Sequence, residues 1–169
     1  RGRINSCMGY LCKQDSCFEE ALEFYLRSSC AFKESGNEWY YAHNLLNVAE
    51  RYIYLNEFAK VDSVLREAAT YHIDSIYYAS LMDLYGFSFF RQQQYDSALT
   101  YLLSVKDYPR NIEDRCFSYI KIMHCYECLN QLVETESYAQ YVISHSTNPA
   151  YRSNAYFYLM ANAKLQHDI

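Results

Sequence analysis

Apolar and polar residues follow one another along this chain with helical spacing, in blocks of similar length. Met82, Tyr85, Gly86 and Phe89 fall on one side of a 3.6-residue spiral. The polar joint Gln92-Gln93-Gln94 interrupts it, and Tyr95, Ala98, Leu102 and Val105 resume it. The same reading of the whole chain predicts helices at about 3–14, 18–34, 38–55, 57–71, 75–91, 95–107, 112–129, 131–145 and 150–166. Their ends carry matching signals. Ser16-Cys17-Phe18-Glu19 is a capping-box pattern, and Asn56 and Asp74 stand where they can cap the helices that follow. Gly36-Asn37 separates two blocks, and Pro109 and Pro149 are expected to close helices, because proline cannot continue one.

The blocks repeat. Met8-Gly9, Cys12, Phe18, Ala21, Tyr25 and Ser28, shifted by 40, become Val48-Ala49, Tyr52, Phe58, Val61, Leu65 and Ala68. A step of 37 gives Tyr85-Gly86, Phe89, Tyr95, Ala98, Leu102 and Val105. Another gives Ile122-Met123, Tyr126, Leu132, Thr135, Ala139 and Val142, and a last one lands on Leu159-Met160 and Ala163. The chain therefore reads as an all-α protein of four helix hairpins, at about 2–36, 37–73, 74–110 and 111–148, with a final helix at about 150–166. A lone hairpin cannot bury its apolar face, and stacking hairpins can. Gly9, Ala49 and Gly86 are expected to face Ala21, Val61 and Ala98, because close helix packing needs small residues. Tyr52, Phe89 and Tyr126 are expected to fill the groove between one hairpin and the next.

At these positions the sequence resembles the tetratricopeptide repeat (TPR) family. That motif has a large residue, then Leu-Gly, then Tyr on its first helix, and Ala, an aromatic residue and Ala on its second, ending near Pro. The third unit matches it through Tyr85-Gly86, Phe89, Tyr95, Ala98, Leu102, Val105 and Pro109, and the first through Met8-Gly9, Phe18, Ala21 and Tyr25. The second substitutes Ala49 and Val61, and the fourth departs most, with Met123 and Thr135. The steps of 40, 37 and 37 exceed the family's usual period of about 34. The resemblance implies an α-α superhelix, a TPR-like solenoid, whose first helices line a concave face. The inward set is then Arg3, Ser6, Tyr10, Lys13, His43, Leu46, Asn47, Glu50, Tyr54, Asp83, Leu84, Phe87, Arg91, Lys121, His124, Glu127, Phe157 and Tyr158. The candidate peptide- or protein-binding residues are Tyr10, Lys13, His43, Asn47, Glu50, Tyr54, Asp83, Phe87, Arg91, Lys121, His124 and Glu127. Aromatic anchors among scattered charges suit an extended peptide or a partner helix. A carboxylate clamp of the kind that grips a chain end is disfavoured, because Ser6, Tyr10, Ser80 and Leu84 hold slots where it needs Lys and Asn. Tyr-rich degenerate arrays of this kind are similar to the sensor portions of bacterial regulators. In one group, common in Bacteroidetes, the array is joined to a membrane helix and a DNA-binding domain.

Composition narrows the picture. Four Gly and two Pro are too few for the turns of a sandwich or barrel. A net charge of −5 argues against a nucleic-acid groove on this segment, and no run of 18 apolar residues spans a membrane. Seven Cys, an odd number, favour a reducing, cytoplasmic compartment over a disulfide scaffold, with an extracytoplasmic sensor domain as the alternative. Cys125-x-x-Cys128 beside His124 has metal or redox spacing, but zinc needs more ligands than the sequence offers nearby. Adjacent acids at Glu19-Glu20 and Glu113-Asp114 fall near helix starts, where they complement the helix dipole. No phosphate loop or serine elbow occurs. The expectation is a non-catalytic binding module without a cofactor. Leu159, Met160 and Leu165 on the last helix call for a cover, so either the natural chain continues as part of a larger protein or this end associates with another copy. An oligomerisation scaffold and a thiol-redox or metal protein are the alternatives.

Overall fold

A computed structural model describes residues 1–14, 17–108 and 110–167, and of residues 13, 14, 133 and 165–167 the backbone only. Ser16 of the expected capping box and Pro109 lie outside the described residues. The chain is all-α: among the described residues there are nine α-helices and no strand. They are α1 (Gly2–Gln14), α2 (Phe18–Glu34), α3 (Glu38–Tyr54), α4 (Phe58–Ala68), α5 (Ser75–Arg91), α6 (Tyr95–Ser104), α7 (Ile112–Cys128), α8 (Glu136–His145) and α9 (Pro149–His167). A 3₁₀ turn at Leu132–Thr135 precedes α8. Each helix packs on its neighbours in sequence, and α3, α5, α7 and α9 also pack successively on one another.

The repeat is visible in the backbone. Asn37, Asp74, Asn111 and Asn148 stand 37 residues apart. Each accepts a hydrogen bond on its side-chain oxygen from a backbone N–H in the helix it opens: that of Tyr40, Tyr77, Asp114 or Ala150. Such caps satisfy amides that the first helical turn leaves without partners. The joints repeat too. The amides of Cys17, Glu57, Gln94 and Gln131 bond back to the carbonyls of Cys12, Tyr52, Phe89 and Tyr126. In the last three joints the residue before that amide, Asn56, Gln93 or Asn130, has a positive φ, the geometry of a Schellman turn. Gly36 makes the same turn between α2 and α3.

Asn56 thus ends α3 instead of capping α4, and its side-chain oxygen accepts from Arg91 at 2.8 Å. Pro149 opens α9 instead of closing α8, which has already ended at His145. Proline fits a first helical position, where its missing N–H would have no partner anyway. The second helices α4 and α6 stop three residues earlier than their apolar periodicity suggests.

Packing adds detail to two expectations about pairing. A Cβ on Gly86 would lie 2.6 Å from Leu102 Cγ, and one on Gly9 would lie 3.0 Å from the Tyr25 ring. That position on Gly86 is also 3.3 Å from the Ala98 carbonyl oxygen, so Gly86 faces Ala98 as expected, and the small slots admit in addition a bulky residue one turn further along the second helix. Phe89 stacks on Tyr101 and Tyr126 on Tyr138 within their own hairpins, and Phe89 also lines a pocket shared with Phe58, Val61 and Leu65 of the preceding hairpin, as the register predicts. The core forms two large clusters, one centred on α3, α4 and α5 and one on α6 through α9.

Candidate functional site

A cavity of about 300 Å³ opens where α3, α5 and α7 meet. It is lined by His43, Leu46, Asn47, Glu50, Ser80, Asp83, Leu84, Phe87, Arg110, Asp114, Phe117 and Lys121. Their spacing explains the convergence. His43, Ser80 and Phe117 form one column of 37-residue steps, and Asn47, Leu84 and Lys121 form another. Successive first helices in contact place equivalent residues side by side.

One wall is an ionic cluster. Asp83 on α5 accepts from Lys121 Nζ at 2.6 Å, from Arg110 Nη1 at 3.0 Å and from the Ser118 hydroxyl. The Lys121 and Arg110 side chains are almost wholly buried, and Asp83 is the most accessible member of the ion pairs. Burial alone would raise the Asp83 pKa, but the two cations outweigh it and hold the carboxyl below the usual carboxylate range. Lys121 Nζ also lies over the rings of Phe87 and Phe117, at 5.0 and 4.6 Å. These rings belong to a run across five helices. Phe18, Tyr54, Phe87, Phe117 and Tyr151 follow one another at centroid separations of 4.7, 5.4, 5.7 and 5.8 Å. At the other wall the guanidinium of fully buried Arg51 lies 4.9 Å from the Tyr54 ring, with Glu50 Oε2 2.6 Å from its Nη2. His43 stacks on Trp39 and brings Nδ1 within 2.9 Å of the Trp39 carbonyl. The Ser80 hydroxyl donates to the Ile76 carbonyl.

Of the candidate residues, His43, Asn47, Glu50, Asp83, Phe87 and Lys121 share this cavity. Lys121 and Phe87 are buried in its wall. Tyr54 continues the ring run, and Arg91 Cζ lies 6.0 Å over its ring. Tyr10 is exposed on α1, outside the cavity, and the side chain of Lys13 lies outside the described residues. His124 and Glu127 form a separate cluster with Tyr158 of α9: His124 Nδ1 lies 3.2 Å from the phenol oxygen, which donates to Glu127 Oε2 at 3.4 Å. Burial raises the pKa of that phenol. The sequence does not single out Ser80, Arg110, Asp114 or Phe117 as binding residues, yet all four line the cavity. Extending the His43 column by 37 reaches Ser80 and Phe117, whereas Arg110 sits in a joint, where helical periodicity says nothing.

The cysteines are dispersed. Cys116 and Cys125 are buried, Cys7, Cys17, Cys30 and Cys128 are exposed, and burial pushes the Cys125 thiol up to about 12. Among the described residues no group of three or more His, Cys, Asp or Glu side chains could hold a metal ion, and no helix is long and apolar enough to cross a membrane. Glu113 accepts from the Ser146 hydroxyl and from the Thr147 amide and hydroxyl, which ties the start of α7 to the joint before α9. Compared with known proteins, the chain matches no family model and no curated protein.

Proposed function

We propose that this chain is a non-catalytic binding module of tetratricopeptide-repeat type, a curved stack of hairpins that holds a protein or peptide segment across α3, α5 and α7. The observation that carries this reading is the cavity at their junction, to which three successive first helices contribute equivalent positions. It combines two phenyl rings, the Asn47 carboxamide and a fixed ionic cluster. Rings supply apolar contact area at low entropic cost, and a carboxamide can both donate to and accept from a peptide backbone. The charges in the wall are held by one another, so they set orientation and selectivity more than affinity. By its sequence resemblance, the module would serve as the sensor or scaffold part of a bacterial regulatory protein, with the bound segment as its signal or partner.

A peptide array followed by calorimetry on the intact chain tests the reading. Peptides that bind should lose at least about tenfold in affinity to Ser80→Trp, which fills the cavity, and to Asn47→Ala. Circular dichroism should show the helices unchanged in both variants. Failure of every peptide, or binding indifferent to both substitutions, would overturn it.

A further inference from the structure

A second cavity, of about 410 Å³, opens at the joint between α4 and α5 and shares no lining residue with the first. Four tyrosines line it, Tyr71, Tyr77, Tyr78 and Tyr108, together with the Asp74 carboxylate. Among the described residues no lysine or arginine does. The Tyr77 phenol is committed elsewhere, donating to the Ala68 carbonyl at 2.8 Å.

The repeat shows what sits at such a corner. Tyr78 and Tyr108 stand 37 residues after Tyr41 and Tyr71. The two ring pairs match, with centroids 5.8 and 5.9 Å apart. The earlier pair borders a smaller cavity, of about 150 Å³, with Lys33 in its wall. Lys33 Nζ lies 5.2 Å from the centre of the Tyr41 ring and 3.3 Å from its phenol oxygen, and Glu67 Oε1 is 3.5 Å away. One step on from Tyr78 the tyrosine slot is taken by Arg115, whose guanidinium lies 5.9 Å over the Tyr141 ring. Both neighbouring corners thus place a cation of the chain itself on a tyrosine. The middle corner supplies none, because Thr70 stands 37 residues after Lys33.

Charge agrees. Asn37, Asp74, Asn111 and Asn148 cap their helices in the same way, and of the four only Asp74 is charged. It stands at the corner that lacks a cation of its own. A carboxylate offers a second acceptor oxygen and a full charge where a carboxamide offers a donor. Tyrosine faces attract ammonium ions, the more so where water is excluded.

We propose that the cavity lined by Tyr71, Tyr78 and Tyr108 binds an alkylammonium group from outside the chain. The rings and Asp74 hold it as Tyr41 and Glu67 hold Lys33. The volume suits a small molecule. The site is independent of the peptide-binding reading of the cavity between α3, α5 and α7.

The probe is n-butylammonium chloride, the chemistry of a lysine side chain, titrated into the intact protein and followed by two-dimensional amide NMR. Signals of residues 71–78 and of Tyr108 should shift saturably, with a Kd below about 10 mM. The uncharged 1-butanol should bind at least about tenfold more weakly. Asp74→Asn keeps a cap of the kind used at the other three helices, so the circular dichroism should not change while affinity falls at least about threefold. Thr70→Lys rebuilds the Lys33 arrangement and should abolish binding, whereas Thr70→Gln should leave it intact. Ser80→Trp should bind the amine normally, so failure here and failure of the peptide-groove reading are separable. An end-blocked Gly-Lys-Gly peptide distinguishes the sources of the group. Shifts at the same amides with equal affinity support a lysine of a partner chain, and weaker binding supports a free amine. No saturable shift up to about 50 mM, or equal binding of 1-butanol, overturns the proposal. So does binding indifferent to both Asp74→Asn and Thr70→Lys.

Discussion

Lys121 Nζ lies 2.6 Å from Asp83 Oδ2, and the pair joins α7 to α5 across 38 residues of sequence. Arg110 reaches the same carboxylate from the joint before α7, so two nearly buried cations share the Asp83 charge. A buried pair that loses one member leaves its partner's charge uncompensated, at a cost of roughly 3–5 kcal/mol.

Asp83→Asn should therefore destabilise the protein by about that amount at pH 7. Lys121→Met should cost much less, because Arg110 still pairs with Asp83 and the thioether can sit between the Phe87 and Phe117 rings. Acid should discriminate further. The folded-state pKa of Asp83 is lowered, so its contribution is fully present above the unfolded value of about 3.9 and is lost as pH falls through the folded value. The gap between wild type and Asp83→Asn should thus be wide at neutral pH and narrow in strong acid. Urea unfolding of the three proteins at both pH values measures it.

The helices and their spacing were legible because one signal, apolar residues every three to four positions, recurs with a step of 37. That step placed His43, Asn47 and Glu50 beside Asp83, Phe87 and Lys121. What the step could not supply came from the joints. Arg110 is outside any helix, and its role follows from a loop path that no periodicity encodes. Asn56 suits two roles, a cap for the next helix or a left-handed end for the previous one, and the Schellman bonds of the joint decide for the second. Lys121 and Phe87 read as groove-facing from the register, yet the cluster buries them, because depth depends on which neighbour stands opposite. Arg51 is a similar case. The repeat pattern does not single it out, and its guanidinium lies 5.5 and 4.9 Å from the rings of Phe18 and Tyr54.

Gly86 tests the close approach of α5 and α6. Alanine is favoured over glycine inside a helix by about 1 kcal/mol. Here the added methyl would lie 2.6 Å from Leu102 Cγ, so fully buried Leu102 would have to shift. Overpacking of this kind costs about 1–3 kcal/mol. Gly86→Ala should lower stability despite its better propensity. The double variant with Leu102→Val should lose less than the two single losses added together, as expected for residues in contact. Thermal unfolding of the single and double variants gives the coupling.

Gln93 ends α5 with φ of 61°, a conformation that costs a side-chain-bearing residue about 1–2 kcal/mol and glycine almost nothing. Its side chain is exposed. Gln93→Gly should stabilise the protein by up to about 1 kcal/mol, a rise of roughly 2–4 °C in Tm for a chain of this size. The reverse change at Gly36, whose φ is +67°, should destabilise even though a Cβ there meets no atom within 4 Å. Opposite signs at two equivalent turns would establish that backbone conformation decides the outcome, not lost contacts.

Thiol reactivity separates the packed cysteines from the accessible ones. A thiolate is the reactive form, and burial raises the pKa of Cys116 and pushes that of Cys125 up to about 12. At pH 8 both stay protonated and shielded, so a disulfide reagent should modify Cys7, Cys17, Cys30 and Cys128 promptly and leave Cys116 and Cys125 until the protein opens. The rate at those two should then follow urea concentration along the global unfolding curve. Cys125 and Cys128 have a spacing that invites a redox reading, so their relative rates carry extra weight. A redox pair would react together, with the first thiol the faster. A buried packing thiol beside an exposed one predicts the opposite order, Cys128 well ahead of Cys125. Mass mapping of alkylated peptides over time reads that order directly, and prompt modification of Cys125 in the folded protein would contradict it.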